Sequence, residues 1–171
     1  QRATIEAFLA RIADQADTIG RHDLAQAARS LADRAPVARV ICHGDLHPFN
    51  LLVDGDRWTI LDWSTAVIAD PHYDLGFTTL MLANPPLGGP APVRAIAHNV
   101  GSRLARRFLR TYTHLSGTVA DPERLAWGQS VHALRALVEI ASWEAANQID
   151  ERAGHPWLPM RPSLEAHLAL Q

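Results

Sequence analysis

The chain of 171 residues contains no lysine, and all 16 of its basic residues are arginine. A mechanism that needs a lysine must therefore find it elsewhere. There is one cysteine, Cys42. It excludes an internal disulfide, and with Val40 and Ile41 before it the thiol reads as a small buried residue, not a nucleophile. No apolar run approaches the ~20 residues of a membrane-spanning helix, and the N-terminus lacks the basic-then-apolar order of a secretory signal. The expectation is a cytoplasmic protein with no membrane partner. At 47% hydrophobic and 20% charged residues, the composition excludes disordered and fibrous classes. The first residue is Gln1 and not methionine, so an upstream segment is expected to have been removed.

What is present is unevenly placed. From Ile41 to Val93 there are six carboxylates (Asp45, Asp54, Asp56, Asp62, Asp70, Asp74) against one arginine, Arg57. Several of these suit turns and caps, but such a local excess also suits a cation site. Arg94, Arg103, Arg106, Arg107 and Arg110 form a basic helix that reads as a solvated face. With a net charge of -2 and no interleaved surface aromatics, no nucleic-acid partner is expected.

Helical spacing runs from Thr4 to about Ile19 and again from Leu24 to Ala32. Val37 to Ile41 is a short β-branched run. The segment from Asn50 to Trp63 holds two apolar runs around Asp54-Gly55, which predicts a hairpin with those two residues as its turn. Asp70-Pro71 predicts a helix to about Ala83, and Asp121-Pro122 one to about Gln148. Residues 84–92 read as a loop, and Val93 to about Thr113 as a further helix. His155 to Pro162 reads as irregular, with Ser163 capping a last short helix. Trp127, Trp143 and Trp157 read as core rather than as a binding surface. Glu139, Glu144, Asp150 and Glu151 give only a weak hint of attraction for a cationic ligand.

The chemistry is concentrated in His43-Gly44-Asp45-Leu46-His47-Pro48-Phe49-Asn50. His-x-Asp, four residues, then Asn is the spacing of a kinase catalytic loop, in which a carboxylate meets the acceptor hydroxyl and an amide oxygen meets the metal on the triphosphate. If Val53 pairs with Asp56, the hairpin brings Asp62 opposite His47, near enough to Asn50 for both side chains to face one hard cation. His47 reads as a hydrogen-bonded structural histidine.

HGDLHPFNLLV, then LDW, then DPHYDLGF resembles the central block of the aminoglycoside phosphotransferase family of kinase-like enzymes, over about Val40 to Phe77. The resemblance implies Asp45 as catalytic base, Asn50 and Asp62 as magnesium ligands, and His43 as a brace for the loop. It further implies an ATP-dependent transfer of phosphate to a small-molecule hydroxyl acceptor, with Mg2+ and ATP as cofactors. Asp74 would brace the loop from the next helix. Phe49 departs from the glycine often found at its position. The family's glycine-rich loop and phosphate-pairing lysine, which an N-terminal lobe supplies, are absent here.

The resulting expectation is a mainly α (α+β) chain, one C-terminal lobe of the protein-kinase-like fold over 1–171. Helices would occupy 4–34, the catalytic loop and hairpin 40–64, and a helical subdomain 70–171. Its partner would be an N-terminal kinase lobe upstream, without which the chain is expected to be inactive. Two other readings stand beside it. One is a lobe that binds a substrate or partner without catalysis. The other is a metal-dependent phosphoesterase, to which Gly-Asp-x-His has a superficial likeness.

Overall fold

The computed structural model describes residues 3–37, 39–85, 90–146 and 155–169. Among these residues lie six helices and two small sheets: β1 (Ala3–Thr4), α1 (Ile5–Thr18), α2 (His22–Asp33), β2 (Val40–Cys42), β3 (Leu51–Asp54), β4 (Arg57–Ile60), β5 (Val67–Ala69), α3 (His72–Ala83), α4 (Ala91–Ser116), α5 (Pro122–Ala145) and α6 (Arg161–Ala169). Short 3-10 turns lie at Pro48–Asn50, Trp63–Thr65 and Leu158–Met160.

The helices follow their apolar periodicity. In α1 the buried residues Ile5, Leu9, Ile12, Ala13 and Ala16 recur at one-turn spacing, and in α2 Leu24, Ala25, Ala28 and Leu31 do the same. Each helix thus offers one stripe to the core. α3 differs, because His72, Tyr73, Leu75, Gly76, Phe77, Thr79 and Leu80 are buried around its circumference. A helix buried on all sides is central, and α3 packs between α4 and α5.

α3 and α5 approach to backbone contact. A Cβ on Gly76 would lie 2.5 Å from the Gly128 carbonyl carbon, and one on Gly128 only 2.2 Å from the His72 carbonyl oxygen. The N-terminal ends of the two helices are pinned together. The fully buried Asp70 carboxylate accepts from the His72 backbone N–H (2.9 Å), His72 Nδ1 (2.6 Å) and the Arg124 guanidinium (3.2 Å). His72 Nε2 in turn accepts from the Asp121 N–H at 2.9 Å. Asp70 is therefore more than the helix cap the sequence offered: it joins two helices.

Four sequence expectations need correction. The sequence foresaw one hairpin, but β1, β5 and β2 also form a three-stranded sheet with β5 in the middle, parallel to β1 and antiparallel to β2. Strands of two or three residues are too short to leave a periodic signal. The hairpin pairs Asp54 with Arg57 and Val53 with Trp58, so its turn residues are Gly55 and Asp56, not Asp54 and Gly55. Gly55 takes the positive φ of 56° at the first turn position. The segment before α6 is irregular over a shorter span, because α6 begins at Arg161. Pro162 sits in its first turn, where a missing N–H costs nothing, and Ser163 is inside the helix, not its cap. The expected end of α5 at Gln148, part of the 84–92 loop, and Asp150 and Glu151 lie outside the described residues.

Trp127 is core, as expected, with its indole N–H on the Leu31 carbonyl at 3.0 Å. Arg94, Arg103, Arg106, Arg107 and Arg110 are all exposed on α4.

Candidate active site

The register of β2 on β5 sets the geometry of the loop that follows. Cys42 pairs with Val67, so the chain leaves the sheet at His43 alongside Ala66 and Thr65. From there every backbone polar group of three residues is claimed by a side chain. The His43 and Gly44 N–H groups donate to the two oxygens of Asp74 (2.8 and 2.7 Å), and the His43 carbonyl accepts from Thr65 Oγ1 (2.9 Å). The Gly44 carbonyl accepts from the Arg135 guanidinium (3.1 Å), the Asp45 N–H donates to His43 Nδ1 (3.2 Å), and the Asp45 carbonyl accepts from Asn50 Nδ2 (2.9 Å). A segment outside any helix or sheet is thereby as fully bonded as one inside. Gly44 is required for this: its φ is 80°, and a Cβ there would sit 2.6 Å from the Thr65 carbonyl oxygen.

His43 is buried, and its ring has one defined role at each nitrogen. Nδ1 accepts from Asp45, so Nε2 carries the proton and donates to the Leu61 carbonyl at 2.7 Å. The ring ties the loop to the end of β4, with Trp63 edge-on at 4.9 Å. Asp74 feels two opposed influences. Burial raises its pKa above the ordinary carboxylate value, and the N–H groups of Gly44 and His43 pull it back.

What remains of Asp45 is its carboxylate, with His47 Nε2 3.7 Å from Oδ2. His47 holds the next turn by accepting from the Phe49 N–H at 3.2 Å. Its Nε2 also lies 3.3 Å from the Asn50 amide nitrogen. The Phe49 side chain is 92% exposed, with the His47 ring beside it at 5.9 Å.

The observed hairpin register changes the way Asp62 arrives. The ladder ends with the Leu61 N–H donating to the Asn50 carbonyl at 2.8 Å. Asp62 therefore follows immediately beside Asn50, level with the Phe49 turn and not opposite His47. It is the one non-glycine residue among those described with a positive φ, 53°. Such a backbone costs on the order of 1 kcal/mol and is most often kept where a side chain must be aimed. The carboxylate answers the strain locally by accepting from the Ser64 N–H (3.2 Å) and hydroxyl (2.5 Å). Those two donors, the hydroxyl first, hold its pKa below the ordinary value.

The donor chemistry fits a magnesium ion. Asn50 commits its amide nitrogen to Asp45, which leaves its oxygen as the ligating atom, and Asp62 is kept ionised by Ser64. An amide oxygen and a carboxylate are hard donors, and magnesium usually takes one or two carboxylates and fills its remaining positions with phosphate and water. Asn50 is tied to Asp45 through the Asp45 carbonyl, Asp62 follows the Leu61 N–H bond to the Asn50 carbonyl, and His43 bonds to both Asp45 and Leu61. Thr65, Ser64 and Arg135 were missed. The first two carry no motif of their own, and Arg135 lies 91 residues beyond Gly44 on another helix.

The fold is the mainly helical C-terminal lobe of kinase-like phosphotransferases, closed around a clamped catalytic loop. The chain belongs to the phosphotransferase enzyme family (APH), whose family model matches residues 1–109. Among solved structures it is similar to a thermostable mutant of aminoglycoside phosphotransferase APH(4)-Ia in ternary complex with AMP-PNP and hygromycin B. That match has 25% identity and a TM-score of 0.56 and covers 97% of this chain and 52% of the other. The apo form of a thermostable mutant of that enzyme matches at 24% identity and a TM-score of 0.54, over 98% and 53% of the two chains. The chain thus spans about half the length of these relatives. No curated protein matches it.

Proposed function

We propose that the chain is the catalytic and magnesium-binding lobe of an ATP-dependent phosphotransferase acting on a small-molecule hydroxyl. The observation that carries this reading is the six-bond clamp on His43, Gly44 and Asp45, which fixes the backbone that bears the partly exposed Asp45 carboxylate. A loop fixed this tightly suits chemistry that depends on position more than on bond-making by the protein.

Asp45 orients the acceptor hydroxyl and takes its proton as the new oxygen–phosphorus bond forms. The bond from the γ-phosphorus to the bridging oxygen breaks, and ADP departs. Asn50 and Asp62 would hold magnesium, which when bound neutralises charge on the phosphates. His47, 3.7 Å from Asp45, helps fix the direction of that carboxylate. With no lysine in the chain, the phosphate-pairing ammonium and the nucleotide clamp come from a preceding lobe, without which the chain is inactive. The relative solved with AMP-PNP and hygromycin B supports a nucleotide donor and a small polyhydroxylated acceptor class.

The test is phosphoryl transfer from ATP by the full-length protein, assayed against a panel of hydroxyl-bearing small molecules. Transfer should require magnesium and fall by about 100-fold or more in Asn50→Ala and Asp62→Ala, given the weight of positioned charge in phosphoryl transfer. Phosphoester hydrolysis with manganese and no nucleotide, unaffected by these changes, would overturn the proposal.

A further inference from the structure

Five of the six bonds on the catalytic loop come from residues between His43 and Asp74. The sixth comes from Arg135, on α5, outside the 1–109 span that the family model matches. Arg135 does not reach the Gly44 carbonyl alone. Its Nε donates to Glu139 Oε1 at 3.0 Å, one turn along α5, and Glu139 Oε2 accepts from the Trp157 indole N–H at 2.8 Å. The result is a continuous chain of direct hydrogen bonds from Trp157 through Glu139 and Arg135 to the peptide that joins Gly44 to Asp45.

Two features make this chain an orienting device and not a surface ion pair. The Arg135 side chain is only 19% exposed, so the guanidinium is shielded from water that would compete for its bonds. Phe77, Met81, His132 and Ala136 pack around Arg135, Glu139 and Trp157 on one side, and the three bonds of the chain are direct, at 2.8, 3.0 and 3.1 Å. A planar fork that spends one edge on Glu139 and another nitrogen on Gly44 has little rotational freedom left.

We propose that Arg135, oriented by Glu139 and Trp157, is a positioning residue that fixes the Gly44–Asp45 peptide and so aims the Asp45 carboxylate. This role rests on the phosphotransfer reading only in its kinetic consequence; the physical link is testable without it.

The first arm measures amide hydrogen exchange on this chain at His43, Gly44 and Asp45. Arg135→Ala should speed exchange there about tenfold or more while the α1 and α3 amides keep their rates, because a local opening has been made easier. Arg135→Lys, which keeps one donor but not the fork, should restore part of the protection. Trp157→Phe, which deletes the indole N–H and keeps the ring, should give a smaller change at the same amides. It carries the test if Arg135→Ala does not fold. Unchanged exchange at the loop, or equal acceleration throughout the chain, would overturn the proposal.

The second arm measures transfer by the full-length protein. Arg135→Ala should lower kcat by about 10- to 100-fold, the scale expected for a misaimed catalytic group, with KM for the nucleotide unchanged. Unaltered kcat in Arg135→Ala, beside an inactive Asp45→Ala, would remove Arg135 from positioning and leave the phosphotransfer reading standing. Full activity in Asp45→Ala would instead overturn that reading, and the exchange arm would still decide the link.

Discussion

The loop from His43 to Asp45 and the hairpin from Leu51 to Ile60 are neighbours in sequence but are held by opposite means. The loop has no ladder, and side chains from Thr65, Asp74 and Arg135 reach it across the fold. The hairpin has a regular ladder and little else: β4 is exposed along its whole length, with Trp58 at 69%, and only Leu51 of β3 is partly covered. The backbone that carries Asp45, the proposed proton acceptor, is thus anchored from other elements of the fold. Asn50 and Asp62, the proposed metal ligands, stand at the root of an exposed hairpin. In the proposed function, such a lobe fixes Asp45 in advance and leaves Asn50 and Asp62 on the less supported side.

Asp74 holds the loop from α3 through both of its carboxylate oxygens. Replacing it by alanine leaves the N–H groups of His43 and Gly44 without partners in a largely buried site, which costs about 1–3 kcal/mol for each unsatisfied group. Chemical denaturation should register a loss of that order for the pair, and transfer activity should be lost with it. Stability within about 0.5 kcal/mol of the parent would mean that the loop is not held from α3.

A second prediction concerns the packing between α3 and α5 behind the loop. Burial holds His132 neutral and lowers its pKa from 6.5 to about 3. Its Nε2 donates to the Tyr73 carbonyl at 3.0 Å. Unfolding frees the ring to take up a proton that the folded state refuses, so stability present above pH 6.5 is lost as the pH falls toward about 3. His132→Gln retains a donor and removes the titration. The difference between parent and variant stability, measured by urea unfolding from pH 7 to 4, should therefore shift steadily in favour of the variant as the pH falls; a pH-independent difference would show that His132 is not buried neutral.

The smallest effect belongs to the hairpin. Trp58→Ser should change stability by no more than about 0.5 kcal/mol, as expected for an exposed position with few packing partners. A large drop in thermal midpoint would show that the hairpin is packed in the isolated chain, and the contrast with the loop would fail.

The helices were legible because their stripes recur over three or more turns, as in Ile5, Leu9, Ile12 and Ala16. The His43 to Asp62 block stood out because its spacing is that of a kinase catalytic loop. The strands Ala3–Thr4 and Val67–Ala69 were not, being too short to alternate. The hairpin was foreseen with its turn one residue early, because Asp54-Gly55 and Gly55-Asp56 both offer a glycine for the positive φ. Arg135 was out of reach for a different reason: an arginine on an amphipathic helix looks solvated until the fold carries it to a carbonyl 91 residues away.

Asp45 is the centre of the proposed chemistry, its backbone fixed by its neighbours and its carboxylate partly exposed. Transfer of the γ-phosphoryl group of ATP by the full-length protein should fall about 1,000-fold or more in Asp45→Ala, the combined scale of a lost proton acceptor and lost orientation, while the fold measured by circular dichroism is retained. Turnover near the parent rate in that variant would contradict the account.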